Sequence, residues 1–283
     1  MRVLITGADG FLGRHLVPVL SGHAVICASR RPMHGVEWRK MDDLRGAVDW
    51  DGLLHDVDAV VHLANIAHQQ ASDDDFERVN HKATASLCAA AKRCGVRHLV
   101  YVSSIYAQAG HSSPRMLTEA DQPAPINAYG RSKLAAERAV AQSGVPFTIL
   151  RPVLVLGAGA RGNAGTLAAL ARLPIPLPLG SIIARRSFLE APDFATAVAT
   201  VLSDARAIGE TYIVADREPR TIGEVVADMR AAMGRRANIF SLPGNSLELG
   251  LKMIGARGIW EKIGSPCIAS PQKLLALGWS PSR

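Results

Sequence analysis

The sequence has no long apolar run and little cysteine. No stretch approaches the ~18 consecutive apolar residues that a membrane-spanning helix needs. The amino end passes from Met1-Arg2 straight into a short strand-like segment and a glycine turn, which is unlike a signal peptide. The four cysteines among 283 residues show neither the density of a disulfide framework nor the spacing of metal ligands. We therefore expect a reduced, cytoplasmic protein that does not associate with a membrane.

Concentrated charge and metal-binding patterns are also missing. The 32 Lys and Arg exceed the 25 Asp and Glu, giving a formal net charge of +7, yet no basic run is longer than two residues. Proteins that bind nucleic acid gather their basic residues into a stripe, so this scatter argues against such a partner and favours small anionic ligands. The nine histidines form no HExxH motif or other paired ligand spacing, so no metal site is expected.

What the sequence does contain is a repeated alternation of strand-like and helix-like segments. Short apolar stretches that end in turn residues predict strands, and apolar residues at helical spacing predict helices. Such alternation is typical of the α/β class, with a Rossmann-like, doubly wound parallel sheet between two layers of helices. The predicted strands are 2–6, 24–28, 58–63, 98–103 and 147–150, and the main predicted helices are 11–20, 73–93 and 127–141.

The character of the sequence changes after residue 152. Residues 157–165 are rich in glycine, and residues 173–179 are too rich in proline for a helix or a central strand. A helix at 192–203, a strand at 211–214 and a capped helix at 221–233 follow. We predict a dinucleotide-binding domain of residues 1–155, to which 190–215 returns, and a smaller C-terminal substrate-binding lobe of residues 156–189 and 216–283.

A glycine-rich loop connects the first predicted strand to the first predicted helix. Its glycines permit a tight turn and a close approach of the backbone to a pyrophosphate, which the helix amide groups would bind. The GxxGxxG spacing departs from the commoner GxGxxG fingerprint. A glycine turn without a ligand is the alternative, which the flanking strand and helix make weaker. The predicted cofactor-binding residues are Gly7, Asp9, Gly10, Phe11, Leu12 and Gly13.

The second predicted strand ends at Ser29, Arg30 and Arg31, without an acidic residue. An acid at this place binds the ribose 2′-hydroxyl of NAD, whereas arginines suit the 2′-phosphate of NADP. Two guanidinium groups and a hydroxyl favour a phosphate. We therefore predict that NADP(H) is favoured over NAD(H), with a solvated basic turn as the alternative.

Tyr129 and Lys133 are four residues apart on a predicted helix and therefore share one face. A free tyrosine has a pKa of about 10. A neighbouring ammonium favours the phenolate, so we expect the pKa of Tyr129 to be lowered. Ser103 and Ser104 end the preceding strand at the carboxyl edge of the sheet, where ligands bind; a simple turn is the alternative for two serines alone. Together these residues predict hydride chemistry at a carbinol carbon.

Four segments, TGADGFLG (6–13), HLAN (62–65), VSSI (102–105) and YGRSK (129–133), together resemble the extended short-chain dehydrogenases/reductases of the NAD-dependent epimerase/dehydratase family. The resemblance covers essentially the whole chain. Segments 149–163, 177–188 and 277–279 are similar to a narrower group, the bacterial UDP-sugar 4-epimerases and related UDP-4-keto-sugar reductases.

The resemblance implies a UDP-sugar 4-epimerase that transfers hydride reversibly at C4 of a nucleotide sugar. Three alternatives stay open. They are an NADPH-dependent reductase of a UDP-4-keto-6-deoxy sugar, an extended reductase of a non-nucleotide substrate, and a non-catalytic dinucleotide-sensing protein. Analogy with the family also implies a homodimer through the helices at 73–93 and 127–142.

The resemblance also implies the roles of the catalytic residues. Tyr129 would be the acid/base, and Lys133 its partner and a ligand of the nicotinamide ribose. Of the two serines, Ser104 matches the family's catalytic hydroxyl better than Ser103 does. Asn80 would help to order the active-site helix.

Binding residues are implied in the same way. Arg186 would grip the pyrophosphate of the nucleotide sugar, with Asn163 as a second phosphate contact. Leu156 stands where the family has a tyrosine, and Ala191-Pro192-Asp193 replaces a Val-Asp pair, so the exact sugar is left open. The other implied residues are Asp43 at the adenine, Leu44, Leu63, Ala64 and Asn65 for the cofactor, and Ile105 for the substrate.

Overall fold

The computed structural model describes residues 1–67, 71–244, 246–253, 260 and 263–283. Its strands are Arg2–Thr6 (β1), Ala24–Ser29 (β2), Glu37–Lys40 (β3), Ala59–His62 (β4), His98–Val102 (β5), Phe147–Pro152 (β6), Leu154–Leu156 (β7), Phe188–Glu190 (β8) and Glu210–Val214 (β9). Within the described residues, seven of them form one parallel sheet in the order β3-β2-β1-β4-β5-β6-β9. The sheet grows outwards from β1 in both directions, which confirms the predicted doubly wound, Rossmann-like fold.

Helices cover both faces of this sheet. They are Phe11–Val19 (α1), Trp50–Leu54 (α2), Asp73–Phe76 (α3), Ala83–Arg93 (α4), Ala128–Gln142 (α5), Gly162–Arg172 (α6), Ala191–Ser203 (α7), Ile222–Ala232 (α8), Ser246–Met253 (α9) and Gln272–Ala276. Across the part of the chain that the structure describes, no helix is both long and apolar enough to cross a membrane.

The central strand β1 shows how the sheet separates two apolar layers. Val3 and Ile5 belong to the layer that contains Leu16 of α1 and Val198 of α7. Leu4, between them, belongs to the opposite layer. Successive side chains of a strand point to opposite faces, and because both faces are covered, Val3, Leu4 and Ile5 are all apolar and buried.

The segment predicted as one helix at 73–93 is helical throughout but not α-helical throughout. A π-helical stretch, Glu77–Lys82, lies between α3 and α4. The wider turn of a π-helix is often found at functional sites. Here it contains Asn80, which is buried and faces α5.

The second half of the chain contributes both to the main sheet and to a separate apolar cluster. β9 pairs with β6, and α7 belongs to the same apolar layer as α1. A smaller parallel sheet joins β7 to β8, and α6 and α8 share a third buried cluster with Leu177 and Phe188. The division into domain 1–155 with 190–215 and lobe 156–189 with 216–283 stays a prediction. In that lobe, residues 245, 254–259 and 261–262 lie outside the described residues.

Candidate active site

The glycine loop between β1 and α1 passes very close to its neighbours. Gly7 has a φ of 68°, and a Cβ atom there would lie 3.0 Å from the backbone nitrogen of Ala64. A Cβ atom at Gly13 would lie 2.4 Å from the carbonyl oxygen of Ala8. Glycine is therefore required at both positions. Because Gly10 at the N-cap has no side chain to cap α1, the first amide groups of the helix fit an anion such as a dinucleotide pyrophosphate.

The turn that follows β4 packs against this loop. The backbone nitrogen of Ala64 donates to Thr6 Oγ1 at 3.2 Å, and Leu63 is buried beneath it. Asn65 Nδ2 donates back to the Leu63 carbonyl at 2.8 Å. The three residues predicted from the HLAN segment therefore lie together at the carboxyl end of β4. Asp9, Phe11 and Leu12, predicted with the loop glycines, are partly exposed around the start of α1.

The predicted recognition site for the 2′-phosphate is only partly as expected. Arg30 is exposed and lies 3.3 Å from the carboxylate of Asp43, and Arg31 is exposed beside it. Ser29 is buried. Its hydroxyl donates to the Arg31 carbonyl at 2.6 Å and accepts from Trp38 Nε1 at 3.0 Å. The Ser29 hydroxyl thus has no proton left for a phosphate. Leu44, next to Asp43, is buried in the core.

Tyr129 lies at the start of α5 between two aromatic rings. The centroid of the Phe76 ring is 5.9 Å from that of Tyr129, and the centroid of the Tyr106 ring is 6.2 Å away. The Ser104 hydroxyl accepts from the Tyr106 backbone nitrogen at 3.2 Å and is near enough to the Tyr129 phenol to lower its pKa. Tyr129 and Ser104, predicted from separate motifs, are therefore neighbours in the structure.

The two adjacent serines have different surroundings. Ser103 Oγ donates to the buried carboxylate of Glu137 at 2.5 Å, away from Tyr129. Ser104, two residues beyond β5, has an extended backbone and precedes the 3₁₀ turn, and its hydroxyl lowers the pKa of Tyr129. This geometry favours Ser104 over Ser103 as the hydroxyl that acts with Tyr129.

Lys133 is buried one turn further along α5, with 1% of its surface exposed. Its Nζ donates to the Val102 carbonyl at 2.7 Å and lies 4.7 Å from the centroid of the Tyr101 ring. Burial lowers the pKa of Lys133 to about 7, and the charge of Glu137 opposes this shift. The ammonium is therefore close to losing its proton near neutral pH.

The expected lowering of the Tyr129 pKa is wrong for this structure. Burial raises the pKa of Tyr129 to about 12, the hydrogen bond from Ser104 lowers it, and Tyr106 raises it. Desolvation disfavours the phenolate more than its neighbours favour it. When bound, an oxidised nicotinamide dinucleotide supplies both the hydride acceptor and a positively charged ring.

Asn80 connects the turn after β4 to the active-site helix. Its side chain exchanges two hydrogen bonds of 2.9 Å with the backbone of Ile66. Asn80 Nδ2 also donates to Ser132 Oγ at 3.1 Å, and Ser132 in turn donates to the Tyr129 carbonyl at 2.8 Å. These contacts tie the first turn of α5 to the cofactor side of the sheet, which is what the predicted ordering role requires.

The substrate side contains Tyr106 and His111, which sequence reasoning missed. The Tyr106 Oη atom lies 3.1 Å from His111 Nδ1. Arg186 reaches the same loop, because its Nη2 donates to the His111 carbonyl and its Nη1 to the Ser265 carbonyl, both at 2.6 Å. Arg186 and Tyr129 are thus joined through Tyr106. The one signal in the sequence was the position of Tyr106 two residues after Ser104.

The other predicted substrate residues lie apart from Arg186. Ile105 is buried in the 3₁₀ turn after β5, with its side chain in the core. Asn163 is exposed in the first turn of α6, beyond the carboxyl end of β7, whereas Arg186 precedes the amino end of β8. Their contacts with substrate stay predictions.

Comparison with known proteins shows the family of the chain. The model of the NAD dependent epimerase/dehydratase family matches residues 3–215. The chain belongs to this family. It is 26% identical to the UDP-glucose 4-epimerase of Vibrio cholerae, with 99% of this chain and 90% of that protein covered.

Solved structures of family members have the same fold. The UDP-N-acetylglucosamine 4-epimerase from Bacillus cereus superimposes with a TM-score of 0.80 at 26% identity, covering 100% of this chain and 94% of that one. MoeE5 in complex with UDP-glucuronic acid and NAD gives a TM-score of 0.78 at 25% identity, covering 100% and 94%.

The two departures from the family pattern have structural explanations. Leu156 is buried in the cluster that contains Phe188, so an apolar contact occupies the place of the usual tyrosine. Ala191-Pro192-Asp193 forms the first turn of α7, where proline is tolerated. Asp193 is buried and accepts hydrogen bonds from the backbone and hydroxyl of Ser282.

Proposed function

We propose that the chain is a UDP-sugar 4-epimerase. The observation that carries the proposal is the contact of Tyr129 with Ser104, with Lys133 behind it and the glycine loop at the same edge of the sheet. The 4-epimerase relatives, which match over nearly their whole length, support the substrate class. A cytoplasmic location and a homodimer stay predictions.

In the proposed reaction, Tyr129 acts as the phenolate, which the positive charge of a bound oxidised nicotinamide would favour. The phenolate takes the proton of the C4 hydroxyl as hydride leaves C4, which gives a 4-keto sugar. The Ser104 hydroxyl donates a hydrogen bond to the developing carbonyl oxygen. The sugar then turns over, hydride returns to the other face of C4, and Tyr129 returns the proton. Lys133 holds the nicotinamide ribose. No dinucleotide is consumed over the full cycle.

The deciding experiment is proton NMR of the purified protein with UDP-glucose or UDP-N-acetylglucosamine and no reductant. We expect the C4 epimer to accumulate to equilibrium, and Tyr129→Phe to give none. The proposal fails if neither sugar is epimerised with or without added NAD+ while a UDP-4-keto-6-deoxy sugar is reduced with consumption of NADPH.

Arg186→Ala is expected to raise the KM for a UDP-sugar about 10- to 100-fold, since a hydrogen bond to a charged group contributes about 1.5–3 kcal/mol. The matched control is Arg185→Ala, because Arg185 is exposed and binds the Pro219 carbonyl and Glu224. Steady-state kinetics should show a changed KM only for Arg186→Ala. Equal KM values in the two variants would remove Arg186 from the proposed pyrophosphate site.

We further propose a preference for NADP(H), which Arg30 and Arg31 alone support because the Ser29 hydroxyl is engaged elsewhere. Replacing both arginines by alanine is expected to weaken NADPH binding about tenfold or more and NADH binding little, because guanidinium–phosphate bonds are lost. Fluorescence titration with both dinucleotides measures this ratio. An equal loss for both would contradict the preference and leave NAD as the cofactor.

A further inference from the structure

The active-site helix α5 carries a third ionisable residue, Glu137, one turn beyond Lys133. Tyr129, Lys133 and Glu137 are spaced by four residues and so lie along one face of the helix. Glu137 is 4% exposed, so it is buried, as Lys133 is. A buried carboxylate beside a proposed proton-transfer pair needs a physical reason.

The Glu137 carboxylate is held on both oxygens. Arg151, on β6, donates from Nε to Oε1 at 2.9 Å and from Nη2 to Oε2 at 2.6 Å. Ser103 Oγ adds a bond of 2.5 Å to Oε1. Arg151 is itself buried, and its remaining Nη1 donates to Gln108 Oε1 at 2.9 Å. The carboxylate therefore has a fixed position and a fixed negative charge.

Burying two cations in the protein interior requires an anion. Lys133 and Arg151 are both buried, and Glu137 reduces their combined charge from +2 to +1. The phenolate form of Tyr129, which takes the substrate proton, is a second anion and brings the group to neutrality until that proton is transferred. Without Glu137, the weaker of the two bases would give up its proton, and that base is Lys133 because a guanidinium stays charged.

The other titratable groups around Lys133 are uncharged near neutral pH. Burial, and to a smaller extent the charge of Lys133, lowers the pKa of His62, on β4, to about 3. Burial raises the pKa of Tyr101, on β5, well above its usual value, and that of Cys88, behind Tyr101 on α4, to about 12. Tyr129 is likewise protonated. Among these groups, Glu137 alone carries a negative charge.

We propose that Glu137 is a positioning residue for the Tyr129–Lys133 pair: clamped by Arg151 and Ser103, it supplies the counter-charge that lets the buried Lys133 keep its proton. The role of Glu137 in catalysis rests on the proposed function. The charge state of Lys133 does not depend on the proposed function, and it can be measured without substrate.

The test is an NMR titration of the intact protein labelled with 13C at the Cε of lysine. The chain has seven lysines, and Lys133→Met assigns the signal of Lys133. We expect Glu137→Gln to shift the Lys133 titration to lower pH by roughly one unit or more. Arg151→Gln removes the guanidinium that pairs with the Glu137 carboxylate, so we expect this variant to shift the Lys133 titration to higher pH. The double variant restores a charge of +1 and should titrate near the wild type, as should Glu137→Asp.

An unchanged Lys133 titration in folded Glu137→Gln overturns the proposal. If Glu137→Gln does not fold, Arg151→Gln and the double variant decide, and a titration of Arg151→Gln at or below the wild type rejects the counter-charge role.

Turnover distinguishes the two proposals. The upper pH limit of kcat should move with the Lys133 titration in Glu137→Asp and Arg151→Gln, whereas absence of epimerisation in every variant and in wild type refutes only the proposed function.

Discussion

Replacement of Tyr129 by phenylalanine is expected to lower kcat for UDP-sugar epimerisation by about 100- to 10,000-fold, the usual contribution of a positioned proton-transfer group. The ring of phenylalanine fills the same space between Phe76 and Tyr106. Only the hydroxyl is lost, and with it the atom that exchanges the C4 proton.

Dinucleotide binding should survive this substitution. The glycine loop packs against Ala64 and Ala8, and Lys133 is held by the Val102 carbonyl. Binding measured by fluorescence or calorimetry should therefore stay within a few-fold of wild type, while single-turnover formation of the epimer disappears. A loss of dinucleotide binding in the variant would mean that the site, and not only its proton chemistry, depends on the phenol.

Tyr212→Phe is the matched control. Tyr212 is a buried tyrosine on β9, at the far edge of the sheet from the glycine loop. Loss of the Tyr212 hydroxyl should leave kcat unchanged. If Tyr212→Phe and Tyr129→Phe reduce kcat equally, the effect of Tyr129 is structural, and another residue must carry the proton.

The fold and the centre of the site were predictable because they depend on local spacing. The glycine positions 7, 10 and 13, the apolar strands and the Tyr129–Lys133 interval are each set within one loop or one helical turn. The edge strand β3 was not predicted, because Glu37–Lys40 has three charged residues in four and no apolar pattern. Edge strands tolerate such residues since one side pairs with no neighbour.

Contacts between distant loops could not be predicted in this way. The approach of Arg186 to Tyr106 and His111 depends on the path of residues 105–126 and of the tail at 265–270, which no periodicity specifies. The sign of the Tyr129 pKa shift was wrong for a related reason. Spacing shows that Lys133 is near, but burial, which dominates the shift, depends on everything packed around α5.

Arg230→Met is expected to be the most destabilising of the substitutions considered. Arg230 is 1% exposed, and its guanidinium donates to backbone carbonyls of two chain segments. These are Ala171, Leu173 and Ile175 at the start of the proline-rich segment, and Ala237 and Asn238 after α8. Methionine keeps the apolar stem but removes the donor of the Ile175 and Ala237 carbonyls, whereas the other three carbonyls also accept from Arg235 or from the Leu177 backbone nitrogen. Each buried polar group left unsatisfied costs about 1–3 kcal/mol, so we expect the free energy of unfolding to fall by about 2 kcal/mol or more.

Arg235→Met separates this effect from a general loss of charge. Arg235 donates to the carbonyls of Ala171, Arg172 and Leu173 but is partly exposed, so water replaces its bonds. Urea unfolding should show a loss of about 1 kcal/mol or less for Arg235→Met and a much lower midpoint for Arg230→Met. Similar midpoints for both would mean that the carbonyls around Arg230 find other donors. The segment at 171–177 would then be held by its apolar contacts with α8, through Leu177 and Val226, rather than by the buried guanidinium.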